Sequence, residues 1–146
     1  MAVVVAVVVA LDQATKSWAV ANLADGRTVH VVWTLELDLA FNSGLSFSQG
    51  EGLTGPITVV GIALVAGLVW WSRGVTNPVM AGGLSSLLGG ACGNLADRLF
   101  RDHGGAVVDF IDFQWWPVFN VADIAVFVGA GLLILSSLRD PAPTAP

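Results

Sequence analysis

Two stretches, Gly52–Ser72 and Gly74–Ala96, contain no charged side chain and flank the short segment "SRGVTNP". Each exceeds the roughly 18 apolar residues that mark a membrane-crossing helix. In hydrocarbon a single segment satisfies its backbone polar groups only by coiling into a helix, so the pair predicts a transmembrane helical hairpin. Composition agrees: 55% of residues are hydrophobic and 12% charged, with a mean hydropathy of +0.75, outside the usual balance of a soluble domain. The net charge of −5 argues against any role that needs a basic surface for nucleic acid.

A third span is expected from about Pro117 to Leu138, with proline in the first turn, where its missing N–H is harmless. The N-terminal "MAVVVAVVVAL" covers only about 16 Å at 1.5 Å per residue, so it spans only by continuing through "DQATKSWAVANL" to about Leu23. A cleaved signal peptide ending near "AVA" at 19–21 is the competing reading; the missing basic start and the interruptions at Asp12 and Lys16 argue against it. The expectation is one integral-membrane domain, 1–146, spanning at about 2–23, 53–72, 76–97 and 117–138, with a disordered tail at 140–146. Between helices 1 and 2, "TLELDLAF" alternates, with Leu35, Leu37, Leu39 and Phe41 on one side and Thr34, Glu36 and Asp38 on the other, as a half-buried strand does. Glycines 44, 50 and 52 then mark turns, predicting a small β cradle at the membrane surface within 24–52. The fold class expected is therefore an all-α membrane protein with four transmembrane helices and this cradle. "FRDHGGAVVDFIDFQWWP" is too polar to cross, and Trp115 and Trp116 suit the headgroup level.

Four antiparallel spans put the unusual polar residues on one side whatever the absolute orientation: Asn42, Asn94, Asp97, Arg98, Asp109, Asn120 and Asp123. Asn94, Asp97 and Arg98 share one face of helix 3, and Asn120 and Asp123 share one face of helix 4. Small residues at 85, 86, 89, 90 and 93 let a neighbouring helix approach closely. Counted from Pro117, Asp123 lies about 9 Å inside its helix, too deep for a rim charge. A carboxylate in an apolar span costs about 2.5–3.5 kcal/mol on insertion scales and is usually functional. Asp109 or Asp112, in "AVVDFIDF", can meet it, and two close carboxylates share a proton and can activate water for attack on a peptide carbonyl.

Neither His30 nor His103 has a partner for a Ser-His-Asp set, no Cys/His cluster has metal-ligand spacing, and Cys92 reads as packing. The residues alone leave two classes open: an intramembrane aspartyl hydrolase, or a channel or transporter using Asp97 and Asp123 as ion sites. An ion flux dependent on Asp123 separates them. Against the transporter, helix 4 has no further ionisable group before Arg139, and no inverted repeat is visible.

Five stretches in order, "DQATK" (12–16), "NSGLSFS" (42–48), "GGACGNLADR" (89–98), "VVDF" (107–110) and "FNVAD" (119–123), resemble the bacterial lipoprotein signal peptidases, or signal peptidase II. The resemblance covers nearly the whole chain. It implies four spans in the bacterial inner membrane, an extracytoplasmic cradle and an active site toward the outer face. It also implies cleavage of diacylglyceryl-modified prolipoproteins just before the lipidated cysteine, with membrane lipid as the other partner. By motif the catalytic pair is Asp109 and Asp123, with Asp12, Asn42, Asn94, Asp97, Arg98 and Asn120 supporting or binding substrate, and Asp112 not catalytic. No metal or organic cofactor is expected, and a monomer is. Where the family usually carries a short basic lead, this sequence starts directly on its apolar run.

Overall fold

The computed structural model describes residues 1–44 and 54–139. In chain order these form α1 (Ala2–Leu23), β1 (Val29–Val32), β2 (Leu35–Asn42), α2 (Thr54–Ser72), α3 (Pro78–Phe100), β3 (Val107–Asp112) and α4 (Val121–Arg139). All four helices are long and apolar enough to cross a membrane. The first is continuous through "DQATK". Its buried residues, Asp12, Lys16, Ala19 and Leu23, recur at helical spacing, so its polar groups face the bundle. The outside is apolar: Val3 is 75% exposed, Leu138 75% and Phe127 82%. Buried charge under an exposed apolar surface is the reverse of a water-soluble domain and is what a hydrocarbon solvent selects.

The centre is α3, which packs on α1, α2 and α4, while α2 touches no other helix or strand among the described residues. Asn77 starts α3, its Oδ1 accepting from Val79 N (2.9 Å) and Met80 N (3.1 Å), and Pro78 takes the first helical position. Glycine sets the helix spacing in two places. A Cβ at Gly90 would collide with the carbonyl oxygen of Ala122, and one at Gly93 would lie 2.5 Å from Asp12 Oδ2. Those two positions therefore bring α4 and α1 against α3 at backbone distance.

The sheet departs from the sequence reading. It has three strands in the order β1-β2-β3, all antiparallel neighbours, and the third comes from the connection between α3 and α4. The cradle is thus not confined to the segment between helices 1 and 2. Leu37 pairs with Ile111 and Ala40 with Asp109, so Asp38 and Leu39 together oppose Phe110 in a bulge. The bulge breaks the simple alternation: Leu37 and Leu39 pack on the Ala19, Leu23 and Phe110 cluster, whereas Phe41 is 49% exposed and rests on the His103 ring. Residues 45–52 of the expected cradle, most of "NSGLSFS" and the tail 140–146 lie outside the described residues.

The fourth helix also starts later than expected. It begins at Val121, not Pro117, because Phe119 is held beside β3 by Ile111 N to Phe119 O (2.9 Å) and Phe119 N to Ile111 O (3.1 Å). Asp123 is therefore in the first turn, and the depth counted from Pro117 does not hold. What half-buries it is Asn94 of α3, Asn120 and the loop from Phe113 to Phe119, not distance along its own helix.

Candidate active site

Asn120 caps α4 and Asp123 is its third residue, and the two form a reciprocal capping box. Asp123 N donates to Asn120 Oδ1 (2.9 Å) and Asn120 N donates to Asp123 Oδ2 (3.2 Å). Because Phe119 is paired to β3, Asn120 also lies alongside that strand. Its Nδ2 donates to Asp109 Oδ1 at 2.6 Å, to Asn94 Oδ1 at 3.1 Å and to Val108 O at 3.3 Å. One fully buried asparagine thus contacts both carboxylates, Asp123 through its backbone and Asp109 through its side chain.

Each carboxylate has a second amide donor. Asn94 Nδ2 on α3 reaches Asp123 Oδ1 (2.9 Å), and Asn42 Nδ2 at the end of β2 reaches Asp109 Oδ2 (3.0 Å). Asn42 manages this because Ala40 is the register partner of Asp109, which makes Asn42 its diagonal neighbour on the same face. Asp112, three residues along the strand from Asp109, points to the opposite face by the period of two. Its Oδ1 accepts from Gln114 N (2.6 Å) in the following turn.

Asp109 is 2% exposed. Burial, with the nearby negative charge of Asp123 adding to it, raises its pKa from the ordinary 3.8 to about 6 against the opposing effects of Asn42, Asn120 and Lys16. A carboxyl group whose value rises on folding holds its proton more tightly in the folded chain. Its contribution to stability is complete below about pH 4 and is lost as the pH climbs through about 6. Asp109→Asn is expected to remove that fall, read as unfolding midpoints in detergent measured across the same interval.

Behind the carboxylates lies a layer of buried ions. Lys16 is fully buried, with Nζ on Asp12 Oδ2 (2.9 Å), Asp97 Oδ2 (2.8 Å) and Asn94 Oδ1 (2.8 Å). Asp97 also accepts from Gln13 Nε2 (2.9 Å), Arg101 Nε (2.8 Å) and the backbone N of Val108 (3.1 Å), which ties β3 to α3. Asp12 Oδ1 accepts from Ala122 N (2.9 Å), one of the free N–H groups at the start of α4. Arg98 donates from Nη1 to Asn94 O (3.3 Å), and its buried Nε has no partner among the described residues. It sits in the field of Asp97, Asp109 and Asp123. Beside Asp123 a cavity of about 630 Å³ is walled by Phe113, Trp115, Trp116, Phe119, Ile124 and Phe127. No group of three or more His, Cys, Asp or Glu among the described residues is arranged to hold a metal ion.

The sequence model of the family described as signal peptidase (SPase) II matches residues 4–139. The chain belongs to the signal peptidase II family. It is 47% identical over 139 residues to the lipoprotein signal peptidase of Mycolicibacterium smegmatis, covering 92% of this chain and 59% of that protein. With those of Mycobacterium avium and Rhodococcus jostii it is 45% identical, covering 92% and 93% of this chain and 76% and 71% of theirs. The chain therefore spans about three fifths to three quarters of the length of these relatives. Two solved bacterial membrane enzymes superpose with a TM-score of 0.81 at 29% identity, one covering 96% of this chain and 88% of its own, the other 94% and 92%.

For this signal peptidase II sequence, the structure brings Asp109, Asp123, Asn42, Asn94 and Asn120 into one hydrogen-bonded cluster. It sets Asp12 and Asp97 one layer behind them and Arg98 at the side. Lys16, Gln13 and Arg101 belong to that rear layer, and the sequence reading does not include them among the site residues. A signal existed: a lysine four residues after Asp12 in the middle of an apolar helix has to be paired inside the bundle.

Proposed function

We propose that the chain is an aspartic endopeptidase that removes the signal peptide from diacylglyceryl-modified prolipoproteins, cutting just before the lipidated cysteine. It would act in the bacterial inner membrane with its site toward the outer face. The observation that carries this reading is the pairing of Asp109 and Asp123 through Asn120, next to an aromatic cavity, in a chain of this family.

One carboxyl group is protonated and the other ionised. The ionised one accepts a proton from a water molecule as its oxygen attacks the scissile carbonyl carbon, and the protonated one gives its proton to the carbonyl oxygen. In the resulting diol the proton now on the first carboxyl passes to the amide nitrogen, the C–N bond breaks, and a hydroxyl proton returns to the second. The pair ends as it began. Burial raises the pKa of Asp109 to about 6, so it keeps its proton to a higher pH than a free carboxyl group does. The cavity beside Asp123 offers an apolar wall to the lipid-bearing part of the substrate, so the anchor itself delivers the bond.

The test is incubation of the purified protein in detergent with a diacylated prolipoprotein and mass spectrometry of the products. The expected products are a free signal peptide and a chain beginning at the lipidated cysteine. Chelators and serine- or cysteine-directed reagents are expected to leave the rate unchanged, because carboxylates and water suffice. A rate lost on chelation and restored by added metal would overturn the aspartic mechanism.

A further inference from the structure

We propose that Lys16 is a positioning residue: its buried ammonium fixes the orientation of the Asn94 side-chain amide, and through it the hydrogen bonds received by both Asp109 and Asp123. The inference deepens the proposed function and rests on it.

An amide side chain can flip, exchanging oxygen and nitrogen at nearly the same shape, and only its neighbours decide which end goes where. An ammonium has donors and no acceptor. With Lys16 Nζ at 2.8 Å, that end of Asn94 must therefore be the oxygen, which turns Nδ2 onto Asp123 Oδ1 at 2.9 Å. The same oxygen accepts from Asn120 Nδ2 at 3.1 Å. That contact in turn keeps the Asn120 nitrogen toward Asp109, 2.6 Å away, and its oxygen toward Asp123 N, 2.9 Å away. A flipped Asn94 would turn its NH₂ toward both the ammonium and Asn120, and its oxygen toward a carboxylate. Lys16 is itself held on two carboxylates, Asp12 at 2.9 Å and Asp97 at 2.8 Å, with no exposure, so the ammonium has one position. The chain of fixed donors runs from α1 through α3 to the start of α4 and the middle of β3.

Removing Lys16 alone leaves the Asp12 carboxylate without its countercharge in the bundle, so the deciding comparison is between Asp12→Asn and Asp12→Asn with Lys16→Met. In Asp12→Asn the amide oxygen can still accept from Ala122 N; its NH₂ then takes the place of the oxygen facing Lys16 and Gln13 in both proteins compared, and Asp97 remains at 2.8 Å from Arg101 and, where present, from Lys16. The double variant thus removes the ammonium from Asn94 without stranding a charge. Relative to Asp12→Asn, it is expected to lose about 100-fold in kcat, the size of effect that a small misplacement of reacting groups produces. KM for the diacylated precursor should be held. With ¹⁵N-asparagine labelling, the Asn94 side-chain NH₂ resonances should be sharp and dispersed in Asp12→Asn and averaged in the double variant. Equal kcat and an unchanged Asn94 signal in the two proteins overturn the proposal. If the double variant does not fold, Asn94→Asp decides. It retains an acceptor for Lys16 and replaces the donor to Asp123 by a second acceptor, so a folded protein with kcat at least about 100-fold down is expected, and wild-type kcat overturns the proposal. The wild-type protein is run alongside. Its failure to cleave defeats the proposed function, whereas cleavage by wild type with no effect of these substitutions defeats only the role of Lys16.

Discussion

Asp109→Asn and Asp123→Asn are each expected to cut the rate of precursor cleavage by about 100- to 10,000-fold, the range that general acid–base groups contribute. An amide can neither take the proton of the attacking water nor give one to the carbonyl oxygen. Both variants should insert and fold. At Asp109 an asparagine keeps an oxygen for Asn120 Nδ2 (2.6 Å in the parent) and gives up only the weaker contact with Asn42. At Asp123 the side-chain oxygen can still serve Asn94 or the cap N–H. Asp112→Asn should retain most activity, since Asp112 is turned to the other face of β3 and its turn contact with Gln114 N needs one acceptor only. The assignment fails if the order is reversed, with Asp112→Asn inactive and Asp109→Asn active, when rates are compared at equal amounts of folded protein.

The second large effect is expected at Asp97, and there it is one of stability. Four groups surround this carboxylate and all of them donate: Lys16 Nζ, Gln13 Nε2, Arg101 Nε and Val108 N. Two sit on each oxygen. An asparagine, whichever way it is turned, sets its NH₂ against two donors and leaves a buried cation short of countercharge. Breaking a buried ion pair from one side costs about 3–5 kcal/mol, so Asp97→Asn should unfold far below the parent in detergent despite its identical shape. Turned with its NH₂ on the Oδ2 side, the asparagine also loses the Val108 anchor of β3, and the protein that remains folded that way should be poorly active. Asp102→Asn, on an exposed residue in the turn after α3, is the control and should be neutral. An unchanged midpoint for Asp97→Asn would show that the ion layer does not hold the bundle.

The membrane-spanning architecture is set by local composition, and so it was legible in the sequence. Unbroken apolar runs at Gly52–Ser72 and Gly74–Ala96 have one solution in hydrocarbon, and α2 and α3 occupy them. Parity of crossing then put Asn42, Asn94, Asp97, Asp109, Asn120 and Asp123 on one side without reference to any contact, and the small residues along α3 announced close neighbours. The third strand was a different matter. "VVDFID" is apolar enough for strand or helix, and only the antiparallel pairing with β2 makes it a sheet member; that pairing joins segments distant in sequence, which no local pattern encodes. The same holds for the start of α4. Proline at 117 is a good helix opening in isolation, but Phe119 hydrogen-bonds to Ile111 instead, moving the cap to Asn120 and making Asp123 a first-turn residue.

The ion layer shows the division most clearly. Sequence alone could require that Asp12 and Lys16, four apart in an apolar helix, find shelter in the bundle, since an exposed charge in lipid is too costly. Which groups share that shelter was decided by the packing of α1 on α3, where Gly93 lets Asp12 approach, Lys16 and Gln13 each reach both Asp12 and Asp97, and Arg101 closes on Asp97 and Gln13. Hydrophobic patterning acts over neighbouring residues and so survives in the sequence. A hydrogen bond between side chains 78 positions apart, such as that of Lys16 with Asn94, depends on helix spacing and rotation to a fraction of an ångström, and only the folded chain sets those.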